Sequence, residues 1–164
     1  MTYLITFSCY GCHLHGSESG SVDREHNLPG SPVLAVDPRR TAVARIEMRQ
    51  NPYNLDQPRR VAVLEAIREV CVYRGWTPLA VHVRSTHVHA VVEAEAMPER
   101  ILIDFKAYAS RQLNRIALDG SNRNRWARHG STRWLWESKD VFAAIQYVIH
   151  EQGPPMSVFE SQEL

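Results

Sequence analysis

Apolar and polar residues alternate from Tyr3 to Tyr10, the period of a half-buried strand. The stretches Thr77–Arg84 and His87–Ala94 read as two further strands, joined so tightly that they must be antiparallel neighbours. Between the first strand and these two, the pattern changes to helical. Asp37-Pro38 reads as an N-cap followed by Pro at the first helical position, with the helix running to Gln50 and stopped by Asn51-Pro52. A second helix starts near Asp56 and presents Val63, Leu64, Ile67, Val70 and Cys71 as one apolar stripe, ending at Gly75. Pro98 opens a third, with Ile101, Leu102, Phe105, Ala109, Leu113 and Ile116 inward. Trp126–Trp136 reads as a strand approached irregularly through Gly130, and Lys139–Gln152 as a last helix stopped by Gly153-Pro154-Pro155. This order predicts an α+β domain spanning residues 1–164. Its core is a split βαβ, ferredoxin-like, four-stranded antiparallel sheet with two helices on one face, plus a C-terminal helix. The strand beginning at His87 is central, residues 12–52 are an inserted loop and helix, and 154–164 form a tail.

With 164 residues the chain is long enough for one sizeable core. The net charge of +1 is uninformative, but its distribution is not. Between Lys106 and Lys139 stand Lys106, Arg111, Arg115, Arg123, Arg125, Arg128, Arg133 and Lys139, against Asp119 and Glu137 alone. Such a segment suits an anionic partner such as nucleic acid, and Trp126, Trp134 and Trp136 add stacking surfaces. A solvated basic face has the same composition. No apolar run approaches the about 18 residues of a membrane span. An odd cysteine count of three and a strand-like N-terminus point to a reducing, cytoplasmic setting. Cys9-Tyr10-Gly11-Cys12-His13 matches a haem-attachment pattern, but it sits at a strand end with no export signal before it.

Two features carry chemistry. His87 and His89 lie two apart on one strand, so both rings point to the same face and form half of a metal site. On the last helix, with residues about 100° apart, Val141, Phe142, Ile145, Val148 and Ile149 fall on the core side. Tyr147 falls opposite Ile145, with Ala143 and Ala144 beside it and Glu151 one turn on. Tyr108, by contrast, flanks Phe105 at the edge of its helix's core stripe, the usual place of a structural tyrosine.

Thr86-His87-Val88-His89-Ala90-Val91-Val92, with Tyr147-Val148-Ile149-His150-Glu151-Gln152-Gly153 near the C-terminus, resembles the single-tyrosine HUH transposases of small insertion sequences. The turn Leu14-His15-Gly16, the Gly75-Trp76 junction and the helix Lys106…Arg111-Gln112-Leu113-Asn114 are most similar to the REP-associated branch. Cys12-His13 departs from that branch, which often has an aromatic pair there. The resemblance implies cleavage and rejoining of single-stranded or hairpin DNA through a covalent 5′-phosphotyrosine. It implies Tyr147 as nucleophile, Mg²⁺ or Mn²⁺ held by His87, His89 and Glu151 or Gln152, and a homodimer. Lys106, Arg111, Arg115, Arg123, Arg125, Arg128, Arg133 and Trp134 are the candidate DNA contacts. Two other classes fit the same residues: a non-catalytic nucleic-acid-binding domain, and a metal-dependent nuclease without a covalent intermediate.

Overall fold

The structure is a computed structural model that describes residues 1–12 and 37–162. Much of the expected 12–52 insertion, with His13 and His15, therefore lies outside the described residues. Among the described residues nine elements follow one another: β1 (Thr2–Ser8), α1 (Pro38–Glu47), α2 (Gln57–Arg74), β2 (Thr77–Val83), β3 (His87–Glu93), α3 (Pro98–Ile116), β4 (Ser131–Leu135), α4 (Ser138–His150) and β5 (Ser157–Glu160). The strands form one antiparallel sheet in the order β4-β1-β3-β2-β5, with β3 in the middle as the split βαβ order predicts. The first four positions are those of the split βαβ arrangement, and β5 is an addition at the β2 edge.

The period of two along each strand divides the sheet into two faces. Tyr3, Ile5 and Phe7 of β1 and Val88, Ala90 and Val92 of β3 point into a core closed by α2 and α3. Burying such side chains is worth about 1.5–3 kcal/mol for each large one. Local signals fix where α2 begins and ends. The Asp56 carboxylate accepts from the Arg59 N–H, and Gly75 takes a left-handed φ of 69° while its N–H reaches Val72. The opposite face packs Leu79, Ala80, Val91 and Leu135 against Ala144, Ile145 and Val148 of α4. The sheet is thus a layer between α2/α3 and α4, and the residues alternating with Val88 and Ala90 face α4.

Two expectations change. Residues 154–164 are not a tail throughout: Ser157–Glu160 pair with Val83–Ala80, and Phe159 lies under the Arg68 guanidinium of α2. A four-residue strand after two prolines has no readable period; the unpaired β2 edge recruits it through backbone bonds. On α4, Phe142 is exposed and Ala144 buried, the reverse of the helical-wheel expectation. The buried stripe is rotated away from Phe142 towards Ala144, whose small side chain allows close approach to the sheet. That rotation brings Tyr147 over the sheet face rather than opposite it.

Candidate active site

His87 and His89 stand on the α4 side of β3, with ring centroids 4.8 Å apart. Tyr147 meets His89 edge to face at 5.5 Å between centroids, and it is 39% exposed. His87, His89, Tyr147, Thr6 and Gln152 line one cavity of about 580 Å³, together with the 127–131 approach to β4. That approach runs close to β1 because residue 130 is glycine: a Cβ there would stand 2.7 Å from the Thr6 carbonyl oxygen.

The imidazoles are oriented from behind. Thr6 Oγ1 lies 2.8 Å from Nδ1 of His89, and Thr86 Oγ1 lies 3.1 Å from Nδ1 of His87. Such outer contacts fix ring orientation and assign any coordination to Nε2. Burial, and then the neighbouring His87, lower the His89 pKa to about 3, so its ring is neutral at ordinary pH, the form a metal ligand needs. Gln152 lines the cavity with His89, whereas Glu151 is exposed and does not. Among the described residues no three His, Cys, Asp or Glu side chains converge. Two imidazoles with the Gln152 amide oxygen are the donor set present, and three such donors leave positions on a divalent ion open for substrate oxygens.

A third histidine, unremarked in the sequence, holds the tyrosine helix. His82 is fully buried on β2; its Nδ1 donates to the Val148 carbonyl at 2.9 Å, and its Nε2 accepts the Met156 N–H at 3.1 Å. Arg84 donates to the Pro154 carbonyl at 2.8 Å. The segment carrying Tyr147 and Gln152 is therefore fastened to the sheet at Val148 and again just beyond Gln152. His82→Ala leaves the buried Val148 carbonyl without this partner, at about 1–3 kcal/mol, and also releases the part-buried Met156 N–H. We expect it to lower unfolding free energy by about 3 kcal/mol in urea titrations; a loss under about 1 kcal/mol would contradict this role.

Acid destabilises through the same histidines. Both have pKa values lowered by burial, so below about pH 6.5 the unfolded chain takes up protons that the folded chain refuses. Stability is fully present above that pH and is lost as pH falls towards the folded value. Urea unfolding in chelator should show a loss of about 2 kcal/mol from His89 alone between pH 7 and pH 5. His89→Asn should flatten that slope.

The candidate DNA contacts separate into three groups. Arg128 borders the histidine cavity, and Arg133 a second cavity beside Tyr147. Arg111 and Arg115 lie with Tyr73 and Tyr108 on the α2/α3 side, the far side of the sheet, with Arg111 over the Tyr108 ring. The others make contacts within the fold. Lys106 spends its ammonium on the Ala127 and His129 carbonyls at 2.8 and 2.9 Å, and burial lowers its pKa to about 8. Arg125 is 4% exposed and ion-paired to Asp119, and Arg123 is tied to Gln50 and Asn51. Trp134 stacks on Trp136 and edges Tyr3 on the side away from the cavity. Buried, internally paired cations and exposed ones look alike in a sequence. Thr6 and His82 were missed because only strand pairing and packing bring them to the site, whereas Thr86 adjoins His87 in the chain.

No protein-family model matches the chain, and no curated protein matches it. Solved structures do. The structure of a REP-associated tyrosine transposase bound to a REP hairpin aligns with a TM-score of 0.50 and 12% identity, over 92% of this chain and 65% of that one. A candidate transposase from Deinococcus radiodurans R1 aligns with a TM-score of 0.47 and 12% identity, over 93% of this chain and 90% of the other. This chain thus spans just under two thirds of the hairpin-bound protein. The five-stranded antiparallel sheet with β3 at its centre, and helices on both faces, is the fold of a REP-associated tyrosine transposase.

Proposed function

We propose that this protein is a transposase-type enzyme that cleaves and rejoins single-stranded or hairpin DNA through a covalent bond to Tyr147. The observation that carries the proposal is the meeting of Tyr147 with His87, His89 and Gln152 in one cavity of one chain. The Tyr147 hydroxyl attacks phosphorus, forming the phosphotyrosyl ester on the 5′ side and releasing a 3′-hydroxyl; attack by a 3′-hydroxyl reverses the step. The phenol proton leaves during the attack. His87, His89 and Gln152 would hold Mg²⁺ or Mn²⁺, which when bound offsets charge on the phosphate oxygens. Thr6 and Thr86 hold the two rings, His82 holds the helix, and Arg128 stands at the cavity wall where a phosphate backbone would pass. The solved relative's hairpin ligand supports a DNA substrate of this kind. Proximity within one chain favours Tyr147 acting in cis, and a homodimer remains part of the proposal, to be checked by sedimentation.

The test is covalent trapping. Protein and labelled single-stranded oligonucleotides with Mn²⁺ should give a species that survives denaturing electrophoresis, with the nucleotide on the Tyr147 peptide by mass spectrometry. Cleavage without an adduct would support a nuclease that uses water. Binding with neither would support a non-catalytic DNA-binding domain.

A further inference from the structure

A second cavity, of about 480 Å³, adjoins the histidine-lined one towards the N-terminal end of α4. The two share Thr6, His89, Ser131 and Tyr147 as a common wall. Beyond that wall their chemistry differs. The second cavity is walled by Leu4 and Leu135 from the sheet and by Ala143 and Ala144 from the helix. Its two charged groups are Arg133, from β4, and Asp140, from the first turn of α4. They line one cavity without forming an ion pair, and among the described residues neither side chain makes a hydrogen bond.

We infer that this cavity is a nucleobase pocket selective for guanine, seating the base beside the phosphodiester that Tyr147 attacks; the inference rests on the reading of Tyr147 as nucleophile. Aliphatic walls accept the faces of a flat ring, and the volume is within the range of small-molecule sites. The two charges then read the ring's edge. A carboxylate offers two acceptor oxygens side by side, and guanine alone among the DNA bases presents two adjacent donors, N1–H and the N2 amino group. Its O6 and N7 are acceptors, the usual partners of arginine. Adenine and cytosine place an acceptor beside their amino group, and thymine has a single donor between two carbonyls. Each would leave the Asp140 carboxylate facing an acceptor.

The experiment uses the full chain, Mn²⁺ and single-stranded oligonucleotides randomised at every position. Covalent adducts are purified under denaturing conditions, and the released and attached ends are sequenced. Guanine should be enriched about tenfold or more over thymine at a position next to the joint, the discrimination of one bidentate contact. Asp140→Asn and Arg133→Gln should each reduce that enrichment several-fold, with melting curves confirming that the variants fold; Arg133 is exposed, so its variant keeps the test valid if the other unfolds. Adducts without base bias, or with a bias unchanged in the variants, overturn the pocket and leave the nucleophile standing. No adduct with any oligonucleotide overturns the nucleophile, and the pocket with it.

Discussion

Tyr147→Phe should abolish covalent adduct formation and reduce single-strand cleavage by about 10⁴-fold or more, since removing a nucleophile removes the whole covalent route. Structure should be spared. Tyr147 is 39% exposed, and its ring, not its hydroxyl, makes the contact with His89. Phenylalanine keeps that contact, so thermal unfolding should move little. Tyr108→Phe is the control. Its ring lies on the α2/α3 side of the sheet, beneath Arg111 and near Tyr73, so cleavage should stay within about twofold of wild type. Equal loss in both variants would contradict a chemical role for Tyr147, and so would full retention in both. Single-turnover cleavage and denaturing gels on the same samples separate loss of chemistry from loss of binding.

His89→Ala should reduce cleavage by at least about 10²-fold and Mn²⁺ affinity in parallel, since it removes a nitrogen donor that Thr6 holds in place. The same measurement decides the third ligand. Gln152 lines the cavity with His89, and Glu151 is exposed. Gln152→Ala should weaken Mn²⁺ binding by about 10–100-fold and Glu151→Ala by less than about threefold. The opposite ranking would move the ligand to Glu151. Isothermal titration with Mn²⁺ alone checks this without activity. Thr6→Val supplies a graded case: it keeps the strand and the shape but removes the hydroxyl at Nδ1, so affinity should fall while the fold persists.

Periodicity was enough to find most elements. Alternation in Tyr3–Tyr10 and the Asp56 and Gly75 caps are local signals, set by side-chain direction and backbone conformation. His87-Val88-His89 also put its two imidazoles on one face without any tertiary information, because strand alternation requires it. The β5 strand was not legible, because a four-residue edge strand is stabilised by the neighbour it pairs with and hardly by its own residues. The facing of α4 was misread for a related reason. Hydrophobicity favoured Phe142 for the core, yet close approach to the sheet selected Ala144. Charge alone is equally blind to surroundings: Lys106 bonds two carbonyls and Arg125 pairs with Asp119.

By itself the sequence determined most of the elements, the central position of the histidine strand, and the two residue types, imidazole and phenol, that the proposed chemistry needs. Only the tertiary structure decided which groups meet. Register across β1 and β3 sets Thr6 against His89. The His82 bonds to Val148 and Met156 hold α4 so that Tyr147 lies over His89, with Gln152 rather than Glu151 beside it. The reason is physical: strand and helix periods are short-range and written in neighbouring residues, whereas a site joins atoms up to 146 positions apart in the chain, from Thr6 to Gln152.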